Sequence, residues 1–197
     1  MLKYSFILFI FYSTALNAHD FTGMIGFYDG LSHPVIGMDH FIAMVSVGVI
    51  SVQIGGRAIF FIPFTFVIMM IFGGIFGWLG ETYFLGITES IIFLIELGII
   101  LSVILLGLAI AIENKLPKNI VMVFISAFGL CHGAAHGIEM PWAANPALFA
   151  LGFASGTATL HLFGVGIGAL LNKSKFTNNI LRLSGMVSAI YGVSLIF

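Results

Sequence analysis

Residues 58–79 read AIFFIPFTFVIMMIFGGIFGWL, a run without one charged side chain. About 18 or more apolar residues in a row are enough for a helix to cross a hydrocarbon core. The rest of the chain follows suit. Of its 197 residues, 60% are hydrophobic and 8% are charged, against about a quarter charged in a soluble domain. The sequence predicts an all-α integral membrane protein, a six-helix transmembrane bundle. Its spans are expected near Gly37–Ile54, Ala58–Leu79, Ile87–Ile112, Asn119–Glu139, Pro146–Leu171 and Ile180–Phe197. Glycine, proline and polar residues mark the joints, at Gly55-Gly56, Gly80-Glu81, Lys115 to Pro117, Pro141 to Pro146 and Asn172 to Asn179. The 24 glycines point to close helix packing, where small residues let backbones approach.

The N-terminus reads as a cleaved signal peptide. Lys3 supplies the positive region, Phe6 to Tyr12 a short apolar core, and Ala15-Leu-Asn-Ala18 a small-residue cleavage site. Residues 1–18 would be removed, leaving residues 19–197 as one membrane domain. The basic residues then set the orientation. Arg57 lies in the first joint, Lys115 and Lys118 in the third, and Lys173, Lys175 and Arg182 at the fifth. The second and fourth joints carry Glu81 and Glu139 instead. Positive charge marks the cytoplasmic side, so both mature termini are expected on the periplasmic face of a bacterial inner membrane.

On this apolar background one stretch carries chemistry: Gly129-Leu-Cys-His132-Gly-Ala-Ala-His136-Gly-Ile-Glu139. Spacings of four and three align both imidazoles and the carboxylate along one helical face. Two imidazoles one turn apart are a ready metal chelate, and ionisable groups at membrane depth are costly, which makes them candidates for function. A second cluster, His33-Pro-Val-Ile-Gly-Met-Asp39-His40, opens the first span. On a continuous helix His33 and His40 would be roughly 10 Å apart, too far to share an ion. Pro34 disfavours helix at His33 and suits a helix start, so His33 could fold over that end toward Asp39 and His40. Asp39 could also orient His40.

The orientation puts both clusters at the outer end of the bundle. Glu89 opens the third span at the same level, and Glu96 lies about two turns deeper. The candidate metal ligands are His33, Asp39, His40, Glu89, His132, His136 and Glu139, with Glu89 favoured over Glu96 because of its depth. His161 lies deeper still and could line an inner path or simply pack. Matched depth further predicts that the first and fourth spans pack side by side. Imidazole and carboxylate ligands suit nickel, cobalt, zinc, copper(II) or iron(II). The single cysteine, Cys131, disfavours a soft copper(I) path and rules out an intrachain disulfide. A net charge of -1 with no basic patch gives no basis for nucleic-acid binding. No nucleotide-binding loop is present, and no permanently bound cofactor is expected.

At these residues the chain resembles the HupE/UreJ family of small nickel permeases. The match is a histidine, five residues and Asp-His (His33, Asp39, His40), followed by His-Gly-x-Ala-His-Gly-x-Glu from His132 to Glu139. The signal peptide, the six spans and the Gly55-Gly56-Arg57 joint also fit, so the resemblance covers nearly the whole chain. Cys131 stands where the family often has phenylalanine. The resemblance implies a permease, not an enzyme, that imports Ni2+, in some members Co2+, for nickel enzymes such as hydrogenase or urease. Its partners would be the divalent ion and the bilayer; the oligomeric state is left open. Read without the resemblance, the same ligands would also suit an intramembrane zinc-dependent hydrolase, a bis-histidine haem protein or a structural subunit.

Overall fold

The computed structural model describes residues 26–83, 88–112, 117–141 and 143–197. The expected signal peptide and Lys115 lie outside the described residues. Those residues form seven helices: α1 (Phe27–Ile36), α2 (Met38–Ile54), α3 (Ala58–Tyr83), α4 (Glu89–Ile112), α5 (Lys118–Ile138), α6 (Pro146–Leu171) and α7 (Lys175–Ser194).

The chain is a multi-pass membrane protein. Four helices, α3 to α6, are each long and apolar enough to span a bilayer, and α1 with α2 would make a fifth, bent by 85°. The sixth expected span corresponds to α7, which is not among those that qualify on length and composition. Its helix also starts earlier than expected. Ser174 caps it by accepting from the Thr177 amide, while Thr177 Oγ1 accepts from the Ser174 amide. Large side chains on α3 such as Phe60, Phe72 and Phe76 are exposed, as suits a surface solvated by lipid.

The sequence places the first span as one helix from Gly37 and expects Pro34 to open a helix. The structure differs. Pro34 sits inside α1, so His33 is helical, and the break falls at Gly37, whose backbone is extended (φ -73°, ψ 115°). A Cβ at Gly37 would lie 3.1 Å from both Asp39 Oδ1 and His40 Nδ1. The bare glycine leaves room for those two side chains against the bend.

Close helix pairs form the scaffold. On α5, Gly129, Gly133 and Gly137 face the α3 backbone at Phe66 to Trp78, while Gly73 and Gly77 of α3 face Leu130 and Ala134 of α5. A Cβ at Gly133 would collide with the Met70 carbonyl. The two helices can therefore approach only along this glycine seam. The expected pairing of the first and fourth spans is corrected here, since α5 packs mainly on α3 and touches α2 only slightly. The other extensive pairs are α4 with α7, and α6 with both α1 and α2.

Basic side chains gather at one end of the bundle. Lys118 Nζ, at the start of α5, lies 5.3 Å from the Phe61 ring centroid at the start of α3. Arg182 Nε donates to the Ala111 carbonyl at the end of α4, at 2.9 Å. The start of α2 and the end of α5, which bear the histidines, lie at the opposite end.

Candidate metal centre

α1 packs along the first turns of α6, with Gly30 against Phe149 and Phe153 and Gly152 against Phe27 and Leu31, and His33 reaches α5. The His33 and His136 rings have centroids 4.4 Å apart. His40, in the first turn of α2, packs against both α5 imidazoles, with centroids 4.6 Å from His132 and 4.5 Å from His136. Four imidazoles from three helices thus share one pocket. One ligand atom from each of His33, His136 and Glu139 falls within 4.8 Å of the others. Glu139 Oε2 is 3.8 Å from both His33 Nε2 and His136 Nδ1, too far for direct hydrogen bonds.

Second partners fix the tautomers. Asp39 Oδ1 lies 3.0 Å from His40 Nδ1. An ionised carboxylate only accepts, so Nδ1 carries the proton and Nε2 keeps its lone pair. Ser102 on α4 acts in the same way on His132. Its hydroxyl donates to the Ile99 carbonyl at 2.6 Å, and its oxygen is 2.9 Å from His132 Nε2. With its one proton committed, Ser102 accepts from Nε2–H, and His132 Nδ1 keeps its lone pair. Among the described residues, His40 Nε2, His132 Nδ1 and both His136 nitrogens are buried with no hydrogen-bond partner. Unpaired buried polar atoms are destabilising, and free imidazole lone pairs are what a dication requires. Ligand histidines held by carboxylates or other acceptors through the second nitrogen are the usual pattern of metal sites.

The pocket is graded in exposure. His132 and His136 are 0% and 1% exposed, whereas half of Glu139 faces out, with 54% of its side chain accessible. The acid at the end of α5 thus forms the rim, and the imidazoles form the floor. Phe153 of α6 packs on His136 with centroids 4.2 Å apart, and Phe66 of α3 on His132 at 5.6 Å. A narrow cavity of about 70 Å³ beside His136, lined by Met70, Gly74, Trp78, Gly133 and Phe153, runs between α3, α5 and α6.

Six of the seven expected ligands meet here: His33, Asp39, His40, His132, His136 and Glu139. Glu89 does not join them. It lies on an exposed face of α4 beside Ser90, Phe93 and Leu94, and among the described residues no hydrogen bond or ion pair links it to the cluster. Glu96, ranked second on depth, is the α4 acid within electrostatic reach of Glu139, His40 and Asp39. Depth along the bundle does not separate the two acids, because it fixes height and not the helix face. No motif in the sequence singles out Ser102. The available signal was one hydroxyl, fully buried in the structure, within the apolar run of α4. Cys131 packs toward α4, where a Cβ at Gly98 would meet its sulfur, and takes no part in the cluster.

The family described as HupE / UreJ protein matches residues 7–195. The chain belongs to the HupE/UreJ family. It is similar to Protein HupE of Rhizobium leguminosarum bv. viciae, with 35% identity over 199 residues, covering 99% of each chain. No solved structure matches.

Proposed function

We propose that this HupE/UreJ protein is an inner-membrane permease that carries a divalent transition metal, Ni2+ or also Co2+, from the periplasm toward nickel-enzyme maturation. The observation that supports this reading is the cluster of four imidazoles, three of which, His40, His132 and His136, hold buried nitrogens with no hydrogen-bond partner among the described residues. The family resemblance supplies the metal. In this reading α7 completes six spans, the signal peptide is cleaved, and the basic end of the bundle faces the cytoplasm. The cluster then opens to the periplasm, and both mature termini lie there.

The chemistry follows from the graded pocket. Glu139 at the rim attracts a hydrated dication, and Glu96 and Asp39 lower the electrostatic cost of drawing it inward. Water ligands are exchanged for His33 and His136, then for His40 and His132. Asp39 and Ser102 hold the last two rings in their ligating tautomers. Affinity has to remain modest, because conduction requires that the ion also leave. The hydrolase alternative draws no support from the family match.

Uptake of radiolabelled nickel, with cobalt and zinc as competitors, tests the proposal in cells lacking other nickel importers. Saturable uptake dependent on this protein and inhibited by cobalt is expected. Uptake equal to that of cells without the protein would reject it.

A further inference from the structure

Among the described residues, one buried imidazole lies outside the cluster. His161, midway along α6, is 1% exposed, and neither ring nitrogen has a hydrogen-bond partner among those residues. An imidazole kept only for packing would normally satisfy at least one nitrogen, since a buried polar group without a partner is destabilising. Its neighbourhood connects it to the outer cluster. The fully buried Phe66 ring touches both sides, with its centroid 5.2 Å from His161 in an edge-to-face arrangement and 5.6 Å from His132. One turn toward the cluster on α6, the buried Thr157 hydroxyl donates to Met70 Sδ at 3.5 Å, adding a second polar group on that face. Toward the basic end, His161 borders a groove of about 370 Å³ between α3 and α6, lined by Phe60, Pro63, Phe64, Ala158 and Leu162.

We propose that His161 is an inner relay ligand for the transported divalent ion, and that the Phe66 side chain is the barrier between it and the outer cluster. This rests on the permease reading above. One imidazole supplemented by water and a hydroxyl binds a dication far more weakly than four imidazoles do. A weaker inner station draws the ion onward without trapping it, as multi-site conduction requires. Phe66 turns about its side-chain bonds to let the ion pass, and its return closes the outer pocket. Gly48 of α2 packs directly on the backbone at His161, which holds the ring at a fixed depth while Phe66 moves.

The test uses the purified full-length protein with Co2+ as probe, alongside nickel uptake in cells. Visible absorption of bound Co2+ reports filling of the outer cluster in every variant, and so also reports folding. In a Cys131→Ala background, His161→Cys places a thiolate at the inner station. Co2+ should then give a near-ultraviolet thiolate-to-cobalt band that Cys131→Ala alone lacks. His161→Ala, and His161→Phe which keeps the volume, should leave outer-site affinity within about twofold and lower uptake at least about tenfold. Phe66→Leu, which shortens the barrier, should raise the uptake rate. Intact outer-site binding with no thiolate band and unchanged uptake by both His161 variants would overturn the relay alone. Loss of outer-site binding in His161→Phe would also overturn it, because His161 would then belong to the outer site. Uptake unchanged in Phe66→Leu would overturn the barrier. No Co2+ binding by the wild-type protein would overturn the permease site, and the relay with it.

Discussion

Asp39 Oδ1 lies 3.0 Å from His40 Nδ1, and this contact between sequence neighbours decides which nitrogen His40 offers to the pocket. The extended backbone at Gly37 makes it possible by starting α2 anew, so that both side chains fall in its first turn. Asp39→Asn keeps the shape and removes the charge. Its amide can donate to Nδ1 and turn the ring to the wrong tautomer. Metal affinity should fall by about 10- to 100-fold, as for other groups that orient metal-bound histidines, with the protein still present in the membrane. Titration with Co2+ measures this; unchanged affinity would mean that Asp39 only caps the helix.

Ser102 makes the equivalent prediction for His132. Ser102→Ala leaves the His132 Nε2–H buried without an acceptor, at a cost of about 1–3 kcal/mol. Thermal stability of the purified protein should drop and metal affinity should fall, whereas Ser90→Ala, on the exposed start of α4, should change neither. Equal behaviour of the two variants would remove Ser102 from the site.

The two acids of α4 should behave differently. Glu96→Gln is expected to weaken metal binding and slow uptake, because it removes a charge within reach of His40, Asp39 and Glu139. Glu89→Gln should transport close to the wild-type rate. The reverse order would restore the ranking that depth along the sequence suggests.

The glycine seam supplies a packing prediction. A Cβ at Gly133 would collide with the Met70 carbonyl, while one at Gly166 would meet nothing within 4 Å. Gly133→Ala should reduce the level of folded protein in the membrane, and Gly166→Ala should leave it unchanged, as read by thermal aggregation of the detergent extract. Tolerance of both would show that α3 and α5 are not locked at this distance.

Much of this architecture was legible in the sequence, for identifiable reasons. Long apolar runs predict α3 to α6 because nothing else satisfies the backbone in lipid. The spacing of His132, His136 and Glu139 on one face follows from helix geometry alone. The course of the chain around Gly37 was not legible. Pro34 looks like a helix start, yet the helix runs through it and breaks three residues later, where the side chains of Asp39 and His40 need the space. The partner of α5 was hidden as well. The glycines at 129, 133 and 137 announce a close approach but not to which helix, and only the complementary Gly73 and Gly77 direct it to α3. Depth could not rank Glu89 against Glu96, because depth fixes height along the bundle and says nothing of the face.

The central claim is that imidazoles from α1, α2 and α5 close around one ion. X-ray absorption at the nickel edge of the purified, Ni2+-loaded protein tests it most directly. The account predicts a shell of nitrogen and oxygen with scattering from more than one imidazole, reduced in His40→Ala and lost in the double variant His132→Ala, His136→Ala. A shell containing sulfur, or one of oxygen alone that is the same in wild type and double variant, would contradict it.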